Sequence, residues 1–334
     1  MTRPALSIVV PMYNEADNVR PMTTAITDAM SAYDGQWELI CVNDGSADAT
    51  HATLKAVKDE GASHLAIVDL QRNYGQTAAM QAGIDHARGD IVVTLDGDLQ
   101  NDPADIPRLV DELIERDLDL LQGWRKERQD DFWLRRFPSV IANWIIRNTS
   151  GVKLHDYGCS LKVYRADVLR QVRLYGEMHR FIPVWIATVS APSRIGETAV
   201  NHRARQFGKS HYGLSRTFRV MIDLLAAIFF LRFRGRPGHF FGLIGLWMGF
   251  IGGLALGWLA IQKYVLGEDI GSRPLLLVAS LLLIAALQFL TTGVLAEMLS
   301  RVVFETTNIK PYSVRPPLDK SGDTDSSMGT GRDA

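Results

Sequence analysis

Two long apolar stretches near the C-terminus constrain this chain more than any other feature of its sequence. They run from His239 to about Gln262 and from Pro274 to about Met298. Each has about 24 residues, and about 20 suffice to cross the hydrocarbon core of a membrane. The connecting segment, Lys263–Arg273, is too short to be a domain. A buried hairpin in a soluble core is the alternative, but such cores rarely need two helices of this kind. The sequence therefore predicts an antiparallel transmembrane hairpin.

Charged residues around the two stretches predict the orientation of the hairpin. Basic residues lie before the first stretch and after the second, whereas the connecting loop balances two basic residues against two acidic ones. Because basic residues accumulate on the cytoplasmic side of a membrane, we expect both termini in the cytoplasm, at a bacterial inner membrane. The flanking basic residues are Arg232, Arg234, Arg236, Arg301, Lys310 and Arg315.

The sequence patterns predict that the chain is divided into four segments. Apolar residues at helical spacing in Leu214–Leu231, with arginines at both ends, are typical of a helix lying in the membrane interface. The apolar run within Met1–Pro11 is too short for a signal peptide. The tail from Ser321 is rich in Ser, Gly and Asp and is expected to be disordered. The four predicted parts are a cytoplasmic domain over 1–212, an interfacial helix over 213–237, the hairpin over 238–300 and a tail over 301–334.

Residues 6 to about 123 alternate short apolar runs with longer segments of helical pattern. This alternation is typical of parallel strands joined by crossover helices, so we predict an open, doubly wound, mostly parallel α/β sheet. The predicted strands are Leu6–Pro11, Trp37–Val42, His64–Leu70, Ile91–Leu95 and Leu118–Leu121, followed later by Cys159–Tyr164 and Glu197–Arg205. The predicted helices are Glu15–Ser31, Ala47–Asp59, Gln76–Ala87 and Pro103–Arg116, with another near Met178–Val189.

Composition excludes several classes of protein. The 334 residues include 36 basic and 37 acidic side chains, so no global positive field favours nucleic acid. Cys41 and Cys159 are too far apart for a paired-cysteine zinc motif, and two cysteines make no disulfide framework. The sequence has neither a G-x-G-x-x-G motif after a strand nor a P-loop motif, which argues against a dinucleotide oxidoreductase and a P-loop NTPase.

A pair of carboxylates ends the fourth predicted strand. In Asp96-Gly97-Asp98 one small residue separates two aspartates at the edge of the sheet where open α/β sheets bind ligands. Two such carboxylates can hold a hard cation that also binds substrate phosphates, which indicates Mg²⁺ or Mn²⁺. The alternative is a surface turn, because aspartate and glycine are common in turns.

The turns after the first two strands are also polar. Asn43-Asp44-Gly45-Ser46 follows the second strand, where a carboxylate can accept hydrogen bonds from a base or a ribose. Tyr13-Asn14-Glu15 follows the first strand in the same way. Both segments can alternatively be ordinary strand-to-helix turns, with Ser46 or Asp48 capping the next helix.

Taken together, these motifs resemble those of the family 2 glycosyltransferases. Within that family they are most similar to the polyisoprenyl-phosphate branch, which includes dolichol-phosphate mannose synthase. Within the branch they look most like the bacterial undecaprenyl-phosphate 4-deoxy-4-formamido-L-arabinose transferases. The resemblance covers about residues 6–310. It is carried by Ser7–Glu15, Asp44–Ser46, Arg72–Gln76, Leu95–Asp102, Ile106–Val110, Asp156–Cys159, Phe181–Pro183 and Arg205–Tyr212.

The resemblance implies a GT-A-like fold and a set of site residues. Pro11, Tyr13, Glu15 and Asp44 would line the nucleotide, Asp96, Asp98 and Gln100 would hold the metal, and Asp156 would face the acceptor as a base. Phosphates would be bound by three arginines, Arg125, Arg135 and Arg205. The sequence departs from the family pattern at Asn43, where a second aspartate is usual, at Gly97, where alanine is common, and at Lys209 and His211, where Glu and Lys usually flank the serine.

The resemblance also implies a reaction. An inverting transferase would move a sugar from a nucleotide diphosphate donor, expected to be UDP-linked, to undecaprenyl or another polyisoprenyl phosphate for modification of lipid A or a cell-envelope glycan. Its partners would be the two substrates and membrane lipids, with no nucleic acid. Such an acceptor already carries between one and two negative charges at neutral pH, so Asp156 can orient the acceptor instead of deprotonating it. The glycines of the first apolar stretch permit close helix packing, which makes a homo-oligomer a candidate assembly.

Alternatives remain at this point. Glucosyl or mannosyl transfer to a polyprenyl phosphate fits the same motifs. A polymerase that exports its own glycan is disfavoured because two spans cannot enclose a channel. A non-catalytic membrane partner that binds nucleotide sugars would not need the carboxylate set. Each arginine between Arg125 and Arg136 can also be a solvated surface residue or a contact for anionic headgroups.

Overall fold

In the computed structural model the described residues are 4–126, 151–203, 229, 233 and 236–306. The strands are β1 (Leu6–Met12), β2 (Trp37–Asn43), β3 (Leu65–Asp69), β4 (Ile91–Thr94), β5 (Leu120–Trp124), β6 (Lys162–Arg165) and β7 (Ile195–Ala199). The helices are α1 (Ala16–Met30), α2 (Thr50–Asp59), α3 (Gln76–His86), α4 (Ile106–Glu115), α5 (Ala166–Leu169), α6 (Ile182–Ile186), α7 (Pro237–Tyr264) and α8 (Pro274–Thr306).

The strands form one seven-stranded sheet in the order β3-β2-β1-β4-β6-β5-β7. All pairings are parallel except those of β6, which runs antiparallel to both β4 and β5. This confirms the predicted α/β class and the mostly parallel sheet. Because β1 lies between β2 and β4, the segments that follow these three strands meet at one edge.

The two faces of the sheet are covered by different helices. Successive side chains of a strand point to opposite faces. Ile8 and Val10 of β1 pack with α1, α2 and α4, whereas Val9 packs with α3 and with residues of α5 and α6. At Gly83 of α3, an added Cβ would lie 2.3 Å from Val9 Cγ1, so this helix approaches β1 more closely than a larger side chain would allow.

Some element boundaries differ from those predicted. The last strand begins at Ile195, two residues before the expected Glu197, because its parallel pairing with β5 starts at Leu120 and Ile195. The helix expected near Met178–Val189 is a 3₁₀ turn at Met178–Phe181 followed by α6. Pairing with neighbouring strands sets the first boundary, and a local apolar pattern does not contain that information.

The two C-terminal helices confirm the predicted hairpin elements. Helix α7 and residues Pro274–Ser300 of α8 are long and apolar enough to cross a membrane, and only 17% and 11% of their most apolar windows are buried. A core helix of a soluble protein would be mostly buried, so the outward apolar surface indicates a membrane protein. The predicted interfacial helix over 213–237 and the tail lie largely outside the described residues, so the four-part division stays a prediction.

Small residues at seven-residue spacing bring the two helices together. Gly238, Gly245 and Gly252 of α7 face α8, where an added Cβ would lie 3.3 Å from the Gly293 carbonyl oxygen, 2.9 Å from that of Ala286 and 3.1 Å from that of Ala279. At the cytoplasmic end predicted above, Glu297 accepts a hydrogen bond from the Gly238 amide at 3.3 Å. A carboxylate at a helix N-terminus is favourable, because the first N–H groups there lack partners within the helix.

Candidate active site

The polar segments singled out in the sequence meet at the carboxyl edge of the sheet. Tyr13 follows β1, Asp44 follows β2 and Asp96 follows β4, so they come from three adjacent strands. The main-chain amides of Asn14 and Glu15 donate to Ser46 Oγ (3.0 Å) and Thr50 Oγ1 (2.9 Å), which ties the first turn to the second. Tyr13, directly after β1, is 48% exposed.

The paired aspartates are held in a tight turn. Leu99 adopts a left-handed conformation (φ 59°), and the Gln100 amide donates to Asp98 Oδ1 at 3.1 Å. Gln76, at the start of α3, donates its side-chain amide to Asp96 Oδ1 at 2.6 Å. Burial raises the pKa of Asp96 above its usual range, and the nearby Asp98 carboxylate raises it further. A cation between the two carboxylates would relieve this repulsion.

The donor set fits a hard divalent cation. Within the part of the chain that the structure describes, no group of three or more His, Cys, Asp or Glu side chains could hold a metal ion by itself. If a cation binds as predicted, Asp96 and Asp98 would supply two carboxylates, and the remaining ligands would come from substrate phosphates and water. Mg²⁺ sites are commonly built in this way. The third predicted ligand, Gln100, has its main chain engaged, since its carbonyl accepts the Arg203 amide at 2.8 Å.

Asp44 shapes the loop around the expected nucleotide site. Its two carboxylate oxygens accept the Tyr74 and Gly75 amides at 2.8 Å and 2.9 Å, and only 2% of the residue is exposed. Gly45 has a positive φ of 62°, and an added Cβ would lie 2.3 Å from the Arg72 carbonyl carbon. The two loops thus fit together only with glycine at this position.

The departure at Asn43 has a physical reason. The Asn43 side-chain amide donates to Asp69 Oδ1 at 3.0 Å, at the end of the neighbouring strand β3. His51 Nδ1 lies 2.7 Å from the same oxygen. A carboxylate at position 43 would face Asp69 with like charge, whereas the amide bridges the two strands. Glu15 is likewise engaged locally, because its carboxylate accepts a hydrogen bond from Asn18.

Asp156 and Arg125 form a buried ion pair. Arg125 Nε and Nη2 lie 2.7 Å and 3.0 Å from the two Asp156 carboxylate oxygens, and the Gly158 amide donates to Asp156 Oδ1 at 3.0 Å. The two side chains are 13% and 9% exposed. Burial alone would lower the pKa of Arg125, but the Asp156 carboxylate raises it above its usual value. The expected base is thus held by an expected phosphate ligand, while Arg135 and Arg205 lie outside the described residues.

Several residues near the site were missed by sequence reasoning. His155 stacks on Trp124 with ring centroids 4.6 Å apart, and its Nδ1 contacts the Glu197 carboxylate. Lys162 lies buried in β6 behind the aspartates. A charged residue inside the apolar run Cys159–Tyr164 was a signal for Lys162, but the contact between His155 and Glu197 joins residues 42 positions apart and leaves no local pattern.

Comparison with known proteins is consistent with this geometry. The Glycosyl transferase family 2 profile matches residues 7–173. A dodecaprenyl-phosphate galacturonate synthase from Rhizobium johnstonii is 54% identical over 94% of this chain and 93% of its own length. An undecaprenyl-phosphate 4-deoxy-4-formamido-L-arabinose transferase from Edwardsiella ictaluri is 34% identical over 89% of each chain.

Solved structures share the fold. Glucosyl-3-phosphoglycerate synthase from Mycobacterium tuberculosis, in complex with Mn²⁺, UDP and glucosyl-3-phosphoglycerate, superposes with a TM-score of 0.52 at 19% identity, covering 68% of this chain and 80% of that one. The same enzyme with phosphoglyceric acid gives 0.53 at 18% identity over the same shares. These similarities confirm the GT-A-like architecture.

The fold, the edge carboxylates and the relatives define a glycosyltransferase. The chain belongs to glycosyl transferase family 2, in the group of enzymes that transfer sugars to polyprenyl phosphates. This confirms the resemblance and the class of reaction predicted from the sequence. The site residues stay predictions, since the comparisons assign no residue a role.

Proposed function

We propose that this enzyme transfers galacturonate from a nucleotide diphosphate donor to a polyprenyl phosphate. The observation that carries the proposal is the 54% identity, over nearly the whole chain, to a dodecaprenyl-phosphate galacturonate synthase, against 34% for the 4-deoxy-4-formamido-L-arabinose transferases. The second candidate sugar is therefore 4-deoxy-4-formamido-L-arabinose.

Asp96 and Asp98 would hold Mg²⁺ or Mn²⁺ against the donor diphosphate. When bound, the cation supplies positive charge where the leaving diphosphate becomes more negative. Gln76 would keep the Asp96 carboxylate oriented through its 2.6 Å hydrogen bond. Gln100 would fix the turn through its amide to Asp98. On the nucleotide side, the exposed Tyr13 ring and the loop tied by Asp44 would contact the base.

Asp156 and Arg125 would act on the acceptor. A polyprenyl phosphate is already an anion at neutral pH, because the second pKa of a phosphate monoester is about 6. Attack on the anomeric carbon from the face opposite the diphosphate would invert configuration, with positioning as the main contribution of the protein. Arg125 donates from Nε and Nη2 to Asp156, so its remaining N–H groups can bind the phosphate. Asp156 would thus orient the arginine.

The membrane hairpin would keep this site at headgroup level. A polyprenyl tail remains in the bilayer, so the catalytic edge must reach the phosphate at the surface. We place the catalytic domain and both termini in the cytoplasm, at the inner membrane, on the basis of the flanking arginines and lysines.

A donor panel tests the proposal. Purified enzyme in nanodiscs is incubated with Mn²⁺, dodecaprenyl or undecaprenyl phosphate, and one of four donors: UDP-galacturonate, UDP-4-deoxy-4-formamido-L-arabinose, UDP-glucose or GDP-mannose. Mass spectrometry of the lipid fraction should show a galacturonate adduct of the polyprenyl phosphate, and the aqueous fraction should contain the released UDP. Transfer of another sugar, with none from UDP-galacturonate, would refute the sugar assignment while leaving the reaction class intact.

A further inference from the structure

A polar side chain lies in the middle of the second membrane span. Gln288 is one residue from the centre of the 27-residue span Pro274–Ser300 in α8. At a rise of about 1.5 Å per residue, the two ends of this span are about 18 Å and about 21 Å away along the helix. A glutamine side chain is too short to reach water from this depth. In a membrane its carboxamide therefore lies in the hydrocarbon core, where no water can form hydrogen bonds with it.

Gln288 points away from the other helix of the hairpin. Ala279, Ala286 and Gly293 of α8 face α7, where they lie close to its glycines. Gln288 is two residues beyond Ala286, which places it about 200° around the helix axis. The residue is exposed, and within the part of the chain that the structure describes no other group forms a hydrogen bond with its carboxamide. A single copy of the hairpin thus leaves an amide donor and an amide acceptor facing lipid, which is unfavourable.

Gln288 belongs to a continuous exposed stripe on α8. The members of this stripe follow one another at alternating intervals of three and four residues, which is the spacing of a helix face that packs along another helix. All of them are exposed in the hairpin: Leu281, Ile284, Gln288, Thr291, Leu295 and Met298. The Thr291 hydroxyl donates to the Leu287 carbonyl at 3.1 Å, so it is satisfied within its own helix. A single unsatisfied polar residue in such a stripe fixes the register and the number of helices that associate.

We propose that this α8 stripe is an interface between two copies of the enzyme. A carboxamide has both donors and an acceptor, so two Gln288 side chains can form hydrogen bonds with each other across a two-fold axis. Two copies with the same membrane orientation place their Gln288 side chains at the same depth. An unrelated membrane protein would need its own polar group at this depth, whereas a second copy supplies one by symmetry. The proposal does not depend on which sugar the enzyme transfers.

Dimerisation in lipid bilayers tests the proposal. Two batches of full-length enzyme are labelled through Ser321→Cys with a donor or an acceptor fluorophore and are reconstituted together in liposomes at decreasing protein-to-lipid ratios. Energy transfer should fall on dilution and yield a dissociation constant. Gln288→Leu should raise this constant about 3- to 30-fold, the range expected for hydrogen bonds between helices in lipid. Gln288→Asn keeps a carboxamide and should raise it less. Gln262→Leu makes the same chemical change near the end of α7 and should leave the constant unchanged.

Two adjacent residues locate the interface on the helix. Leu295 and Val294 are 60% and 62% exposed and lie at nearly the same depth, but they are about 100° apart around the helix axis. On mild oxidation in liposomes, Leu295→Cys should form disulfide-linked dimers, whereas Val294→Cys should not. The native Cys41 and Cys159 are buried, so background crosslinking should be low.

Three results would overturn the proposal. The first is a wild type whose energy transfer never exceeds that of randomly placed monomers, which would also exclude a second copy as the occupant of the stripe. The second is Gln288→Leu that associates as tightly as the wild type. The third is equal crosslinking through positions 294 and 295. The cysteine comparison keeps Gln288 intact, so it decides the matter even if Gln288→Leu fails to fold.

Discussion

At the scale of single residues, the ion pair between Arg125 and Asp156 is the contact with the largest expected energetic consequence. Breaking a buried pair by removing one partner leaves an uncompensated charge, which costs about 3–5 kcal/mol. We expect Arg125→Ala to lower the melting temperature more than the double variant Arg125→Ala/Asp156→Asn, in which no charge is left unpaired. Differential scanning fluorimetry of the purified protein measures both.

The control for this comparison is an exposed pair. Arg20 and Glu60 are joined at 2.6 Å, but their side chains are 53% and 58% exposed. Exposed ion pairs contribute little to the free energy of unfolding, so Arg20→Ala should leave the melting temperature unchanged. A double variant that is as unstable as Arg125→Ala would show that the cost comes from lost packing and not from the unpaired carboxylate.

The paired aspartates give the second prediction. Asp98→Asn keeps the size of the side chain and can keep the hydrogen bond from the Gln100 amide, but it removes a negative charge that is predicted to bind the metal. Transfer should fall by at least about 100-fold with the melting temperature preserved, the scale seen when one electrostatic contribution to a transition state is lost. Full activity in excess chelator, or in the variant, would contradict the metal assignment.

Glu38 gives a pH-dependent prediction at the opposite edge of the sheet. Burial alone would raise the pKa of Glu38, but hydrogen bonds from Ser7 and Arg88 lower it below its ordinary value. A carboxylate with a lowered pKa in the folded state stabilises the fold above its unfolded pKa, and that contribution is lost as pH falls through the folded pKa. At pH 7 the wild type should therefore have a higher melting temperature than Glu38→Gln. This difference in melting temperature should shrink below about pH 4.5. A difference that does not change from pH 7 to pH 3.5 would contradict this assignment.

Sequence could locate some of these residues and not others. Asp96 and Asp98 were predictable because they directly follow an apolar strand, and parallel strands bring such residues to one edge. The pairing of Arg125 with Asp156 and the position of Lys162 were not, because both depend on β6 entering the sheet antiparallel between β4 and β5. No local periodicity specifies that insertion.

At the scale of elements, an apolar run predicted each strand of the sheet. The predicted strand ends differ from the observed ones where pairing with a neighbouring strand sets the boundary. β5 extends to Trp124 because it pairs with β7 up to Ala199. The predicted end at Leu121 followed the last leucine, since Gln122 and Gly123 break the apolar pattern. Gln122 is nevertheless fully buried and donates its amide to the Asp156 carbonyl, so this polar residue supports the site from within the sheet.

The glycines of α7 give a matched pair of substitutions. At Gly245 an added Cβ would lie 2.9 Å from the Ala286 carbonyl oxygen, whereas at Gly257 nothing lies within 4 Å. Gly245→Val should therefore separate the two helices and lower the melting temperature in detergent by several degrees, and Gly257→Val should not. An equal fall in melting temperature at both positions would indicate that the loss of stability comes from helix propensity and not from packing between α7 and α8.

At the scale of the whole molecule, a soluble catalytic sheet and a membrane hairpin must cooperate on a substrate with a charged head and an apolar tail. The sequence predicted both parts because each has its own pattern, mixed α/β alternation in one and sustained apolarity in the other. The segment between Arg203 and Arg236 joins the two parts, and an interfacial helix within it stays a prediction. Contacts with lipid would distinguish such a helix from a linker.

The orientation of the hairpin is the last prediction. The flanking arginines and lysines predict that both termini lie in the cytoplasm, so the loop between α7 and α8 would face the periplasm. Val265 is 73% exposed in that loop, and Ser321 lies in the tail. Single cysteines at the two positions should react with a membrane-impermeant maleimide from opposite sides, Val265→Cys in intact spheroplasts and Ser321→Cys only after lysis. The native Cys41 and Cys159 are buried, so background labelling should be low. Labelling of both positions in intact spheroplasts would contradict a two-span hairpin with a cytoplasmic active site.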